Sequence, residues 1–151
     1  MKKLILGSTG VAIALGSLSL AVLPVAAQFP NAPNNCVYLK EITTRQTTIR
    51  KVIASNNSNA NTDFAVPTGV AFTSYIGRFI PENNAGFTAE VNMKYNDGSS
   101  SMVVQRSVNA RRFYRYDQPF RAPTDRQPFQ INVRITGQRN TAYRVAVLAC
   151  Q

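Results

Sequence analysis

Along most of this chain hydrophobic side chains recur at every second residue, a period that fits strands and not helices. From Phe87 to Tyr95 the alternation is unbroken, with Phe87, Ala89, Val91, Met93 and Tyr95 on one face and Thr88, Glu90, Asn92 and Lys94 on the other. Phe129–Ile135 repeats the pattern, and Tyr143–Val147 does so with fewer polar residues. Successive side chains of a strand point to opposite faces, so such alternation marks half-buried strands of an antiparallel sheet. Asn96-Asp97-Gly98-Ser99 follows the first run, and Asp-Gly supplies the positive φ angles of a tight hairpin turn. Pairing about that turn sets Val91 opposite Val104 and Met93 opposite Met102. A second hairpin, through residues 136–141, is expected to pair Phe129–Ile135 with Tyr143–Ala149 and to place Arg134 directly across from Arg144.

Cys36–Thr43, Thr47–Ala54, Asp63–Val66 and Val70–Ile80 also read as strands, rich in β-branched and aromatic residues. Ser55–Thr62 reads as a polar loop with no means of packing, and Ser107–Arg112 is the only helical candidate. The total is seven to nine short strands with turn signals about every ten residues. That predicts an all-β chain folded as a single antiparallel β-sandwich, Ig-like or jelly-roll-like, with a small β-barrel as the alternative.

The 151 residues suffice for one domain and one core. Residues 1–27 follow the secretory pattern: Lys2 and Lys3, an apolar run from Leu4 to Leu23, then Pro24-Val25-Ala26-Ala27, with cleavage expected after Ala27. Retention as an anchor is the other reading, because the apolar run is just long enough to span a bilayer. Residues 28–35 would then be a short N-terminal extension and residues 36–151 the sandwich. The expected location is secreted, periplasmic or otherwise extracellular. Cys36 and Cys150 fit it, since oxidising compartments let such a pair close. A disulfide between them would tie the first strand to the last, and closing a loop above 100 residues is worth roughly 5 kcal/mol at most.

The chain has no His, which removes Ser-His and Cys-His nucleophile pairs and the usual zinc sites. A carboxylate pair would remain, but no motif unites Glu82, Glu90, Asp97, Asp117 and Asp125. Asn56–Asp63 is rich in side-chain oxygens yet holds one carboxylate, unlike a calcium loop. No catalytic residue, metal site or cofactor is expected.

The remaining signal is arginine. The formal net charge is +10, falling to +8 without Lys2 and Lys3, and six of the twelve Arg lie between Arg106 and Arg126. At the centre stand Arg111, Arg112, Tyr114, Arg115, Tyr116 and Arg121. Arg presents a planar fork that grips carboxylate, sulfate or phosphate with two hydrogen bonds, and interleaved aromatic rings add flat faces. With Arg134 and Arg144 these form the candidate ligand-binding set. They point to an exported, non-enzymatic binding or accessory module for anionic envelope or extracellular polysaccharide, with no specific nucleic-acid partner. A peripheral membrane surface and self-association are the other partners the composition allows. The alternative is a structural subunit of a cell-surface assembly, packing through strand edges. The absence of Trp counts against a neutral-sugar module, and like charges at Arg134 and Arg144 would call for a nearby carboxylate or an anionic partner.

Overall fold

Ten strands, every pair of them antiparallel, form two five-stranded sheets in this computed structural model, which describes residues 28–151. The secretory segment expected at 1–27, with its cleavage point, lies outside the described residues. In chain order the strands are β1 (Cys36–Tyr38), β2 (Lys40–Glu41), β3 (Ile49–Val52), β4 (Asn61–Ala65) and β5 (Ser74–Pro81). They continue with β6 (Ala85–Lys94), β7 (Ser100–Ala110), β8 (Tyr116–Phe120), β9 (Gln130–Gly137) and β10 (Ala142–Cys150). The first sheet runs β1-β10-β5-β8, with β3 beside β1 along the same edge of β10. The second runs β2-β4-β9-β6-β7. The protein is therefore a β-sandwich, as its alternation implies.

The inward faces form one core. Phe87, Val91 and Met93 of β6 and Ile131, Val133 and Ile135 of β9 meet Tyr143, Val145, Val147 and Ala149 of β10. Tyr75 of β5 is sealed against Phe120, and burial together with Tyr95 pushes its hydroxyl up to about 12.

Four expectations are corrected. Val91 does face Val104, but a bulge between Val91 and Asn92 moves Met93 opposite Ser101 and turns Met102 outward against Asn92. Phe129–Ile135 and Tyr143–Ala149 do not form a hairpin, because β9 and β10 belong to different sheets. The physical reason lies in β10, whose outward Ala146 and Leu148 are as buried as its inward Val145 and Val147. A strand apolar on both sides sits inside a sheet with both faces covered, not at its edge. Ser107–Arg112 is no helix: β7 continues to Ala110, and a turn follows in which Tyr114 N–H donates to Arg111 C=O. The polar stretch 55–62 does pack. Asn59 bonds Ala54 N–H and Val52 C=O, Asn57 accepts from Gly137 N–H, Ala60 is buried, and β4 begins at Asn61.

Residues 28–35 cross the outer face of the first sheet. Ala32 packs against the group formed by Cys36, Leu148 and Cys150. Tyr38 Oη donates to Pro30 C=O at 2.7 Å, and the guanidinium of Arg78 bonds both Tyr38 Oη and Pro30 C=O. This strap is what covers the outward apolar residues of β10.

Candidate functional site

The two edges where the sheets meet differ in construction. On the side of β1 and β2 the chain crosses from one sheet to the other at Leu39, which is buried and whose N–H donates to Val147 C=O. It crosses back between β2 and β3 and again between β3 and β4. Cys36 and Cys150, register partners on β1 and β10, are joined by a disulfide. On the opposite side β7 and β8 form the outer strands, and the segment joining them is Arg111–Arg115.

That joining turn is firmly held. Phe113 N–H donates to Pro81 C=O at 2.7 Å, Arg112 N–H to Asn84 Oδ1 at 2.7 Å, and Arg111 N–H to Tyr116 Oη at 2.9 Å. Phe113 takes a φ of 60°, in the left-handed region that an aromatic residue adopts only under constraint, at a cost of roughly 1–3 kcal/mol. Strain of this kind concentrates where a local geometry is needed for function. With its backbone fixed, the turn presents Arg111, Arg112, Tyr114 and Arg115 to solvent. The Tyr114 ring is 55% exposed and stands edge-on to Tyr116 with centroids 4.9 Å apart. The Arg112 guanidinium lies 4.5 Å over the Phe113 ring, so it is aligned without being neutralised.

Beside the turn, a cleft of about 260 Å³ opens between β7 and β8 and reaches the core. Its walls are apolar, with Phe79, Phe87, Val104, Val108, Val133 and Val145 among them. Small residues make the space: Gly77 on β5 and Ala89 on β6 occupy positions where their neighbours on the same face carry large side chains. The mouth is charged. Arg106, the register partner of Ala89, points inward from β7, and its Nη1 donates to Gln118 Oε1 of β8 at 3.0 Å. Asp117 lies 3.5 Å from the buried Arg78 and 3.4 Å from Arg115, giving two guanidiniums around one carboxylate.

A second, more open hollow of about 420 Å³ lies on the other side of the turn and includes Arg50, Glu82, Asn83, Arg112 and Asn140. Glu82 is its centre, accepting from Arg50 Nη2 at 2.7 Å and from Arg144 Nε at 3.2 Å. Burial pushes the Glu82 carboxyl up, but hydrogen bonds and charge from Arg50 and Arg144 outweigh it and hold it below the usual carboxylate range.

The eight expected ligand residues thus fall into four places. Tyr114, Arg115 and Tyr116 line the cleft, while Arg111 and Arg112 stand on its turn, Arg112 also bordering the Glu82 hollow. Arg144 faces Arg50, not Arg134, and Glu82 relieves that like-charge pair. Arg134 belongs to the outer face of the second sheet, paired with Glu90 at 3.3 Å. Arg121 is exposed beyond the far end of β8. The turn, not the full set, is the site. Its sequence does not alternate as an extended strand, because Arg111–Arg115 is not part of β7 or β8.

Arg106, Gly77, Asp117 and Gln118, which line the cleft beside the turn, were missed. Arg106 had a readable signal: it breaks the inward series Val104, Val108 and Ala110 with a charge. Gly77 had none, since nothing local shows that its missing side chain opens a cleft. Among the described residues no group of three or more His, Cys, Asp or Glu side chains could hold a metal ion. The candidate carboxylates lie apart, with Glu82, Glu90, Asp97 and Asp117 each paired to different arginines.

No protein-family model matches the chain, and no curated protein matches its sequence. Solved structures of CBM29-2, a family 29 carbohydrate-binding module studied as single-residue mutants, are similar in fold. One gives a TM-score of 0.46 at 6% identity over 77% of this chain and 91% of that one. Another gives 0.46 at 7% over 76% and 90%. A Clostridium thermocellum xylanase 10B structure, comprising CBM22-1 and GH10 modules with xylohexaose, gives 0.36 at 11% identity over 69% of this chain and 24% of that one. Likeness at this level does not carry the ligands of those modules to this chain.

Proposed function

We propose that this is an exported, non-enzymatic binding module that holds an anionic polysaccharide of the cell envelope or extracellular matrix on the turn between β7 and β8. The observation that carries this reading is the composition of the turn: an exposed Tyr114 flanked by Arg111, Arg112 and Arg115 on a strained, hydrogen-bonded backbone. Arg111, Arg112 and neighbouring Arg106 have no ion-pair partner among the described residues, whereas Arg50, Arg78, Arg115, Arg126, Arg134 and Arg144 do. Unneutralised arginines on a fixed backbone are ready to accept bidentate oxyanions, and an exposed ring gives the apolar face of a sugar somewhere to rest.

The Cys36–Cys150 disulfide fits an oxidising destination, and the secretory segment at 1–27 would deliver the chain there. The structural-subunit reading has less support. Its natural docking edge, β7, carries a bulge and an inward-pointing Arg106, both of which oppose strand-to-strand pairing.

Titration with uronate-containing or sulfated polysaccharides and with neutral ones, at low and high salt, tests the proposal. Acidic polymers should bind and weaken steeply with ionic strength, and Tyr114→Ala should cost roughly tenfold, as loss of an aromatic contact worth about 1–1.5 kcal/mol does. Equal binding of neutral and acidic polymers, or none of either, would contradict it.

A further inference from the structure

The apolar cleft beside the turn has no use in binding a polysaccharide chain, whose hydroxyls would be stranded against Phe79, Val104 and Val133. We infer that it is a second binding site, for the alkyl chain of a single-chain medium-length carboxylate, that is, a free fatty acid of about ten carbons.

Size, lining and charge all lead there. An apolar cavity of roughly 150 Å³ takes a six-carbon ring, so the 260 Å³ here suits about ten carbons in one unbranched chain. The walls come from both sheets and are hydrocarbon. Several of them, including Phe79, Ala89, Val104 and Val108, are only partly buried although they pack on the core, which is the expected state of a slot whose filling is separate from the chain. The space is set by the sequence, because Gly77 and Ala89 leave out side chains that a closed sandwich would need there.

The mouth selects the head group. Arg106 spends one donor on Gln118, and its remaining guanidinium donors stand with those of Arg115 beside the opening. Asp117 is the one acidic group at the rim, and Arg78 and Arg115 both balance it. An anionic head is therefore attracted, and a cationic one repelled. A bilayer lipid fits poorly: its second chain and large head would have to pass lips that Arg106 and Gln118 bridge at 3.0 Å.

This site shares Arg106 and Arg115 with the polysaccharide reading, but its apolar slot and the chain-length dependence that reads it do not rest on that reading. A calorimetric series from hexanoate through octanoate and decanoate to tetradecanoate, below micellar concentrations, tests it. Each added methylene should tighten binding about fourfold until the slot is full near ten carbons, after which affinity levels off. Decanol should bind at least tenfold more weakly than decanoate, and Arg106→Gln with Arg115→Gln should narrow that gap. Gly77 has an ordinary φ, and a Cβ there would lie at ordinary contact distance, 3.7 Å from Phe120 and 3.8 Å from the Gln118 carbonyl, so Gly77→Val is the substitution chosen to fill the slot. It should abolish chain-length dependence while melting temperature and polysaccharide binding stay unchanged. Should that variant fail to fold, Ala89→Leu enters the slot from the other sheet and carries the same expectation. Affinity that ignores chain length in the unaltered protein, decanoate binding that survives the filled slot, or binding to phospholipid vesicles with none to decanoate would each overturn the inference.

Discussion

Along one edge of the sandwich the chain crosses between sheets three times and a disulfide joins the first strand to the last. Along the other, β7 and β8 are linked by a five-residue turn and one side-chain hydrogen bond, with an apolar cleft between them. Both edges face the same solvent and the same entropy cost of ordering. The difference shows how a small domain can hold strained, charged and partly exposed groups in one region: covalent closure and chain crossings stabilise the whole fold from the far side. An open edge with unneutralised arginines is tolerable because the opposite edge is locked.

That contrast can be broken most forcefully at the disulfide. Replacing Cys36 and Cys150 together by Ala should destabilise the domain by about 2–5 kcal/mol, read as a shift in denaturant midpoint. A loss no larger than that caused by Val104→Ala at the open edge would remove the asymmetry. Next is Glu82. Glu82→Gln leaves Arg50 directly across from Arg144 without a counter-charge, for an expected loss of about 3 kcal/mol.

The same carboxylate gives a pH signature. Glu82 and Asp97 are held below the ordinary carboxylate range, Asp97 by hydrogen bonds from Ser99 and Arg126. Glu41 is too: burial pushes it up, but hydrogen bonds from Thr44 and Thr43 outweigh this. The folded state therefore binds fewer protons than the unfolded one as pH falls. Stability is fully present above the unfolded carboxylate range and declines from about pH 5 downward through the lowered folded values. Melting curves from pH 7 to pH 2 should show this, and Glu82→Gln should flatten the decline.

A smaller effect is expected at Gly137, where a Cβ would stand 2.9 Å from the Gly86 carbonyl oxygen and 3.0 Å from Ile53. Gly137→Ala should cost about 1–3 kcal/mol by overpacking. Gly77, on the cleft, accepts a Cβ at ordinary contact distances, so Gly77→Ala should cost less than Gly137→Ala.

The architecture was readable because it rests on period two. The alternation of Phe87–Tyr95 and Phe129–Ile135 specifies strands with one apolar face, and two such sheets have few ways to pack. Partnership was less accessible. Whether β9 pairs with β10 or lies on the opposite sheet depends on what covers Ala146 and Leu148, and that cover comes from residues 28–35, more than 100 positions away. The Met93 register failed for a local reason, a bulge that adds one residue without any Gly or Pro to announce it. At the site, the Arg and Tyr content of 111–116 could be seen in the sequence, while the cleft depends on Gly77 and Ala89 coming together from two sheets.

The most direct test of the central claim is a salt-dependent titration of an acidic polysaccharide against the unaltered protein and against Arg111→Glu/Arg112→Glu/Arg115→Glu. All three side chains are exposed, and Asp117 keeps Arg78 as a partner when Arg115 is reversed, so only a small fall in melting temperature is expected. The account predicts binding that falls steeply with ionic strength in the unaltered protein and is lost in the triple variant, while Arg121→Glu at the far end of β8 has little effect. Undiminished binding in the triple variant, or equal losses from Arg121→Glu, would show that the turn between β7 and β8 is not the site.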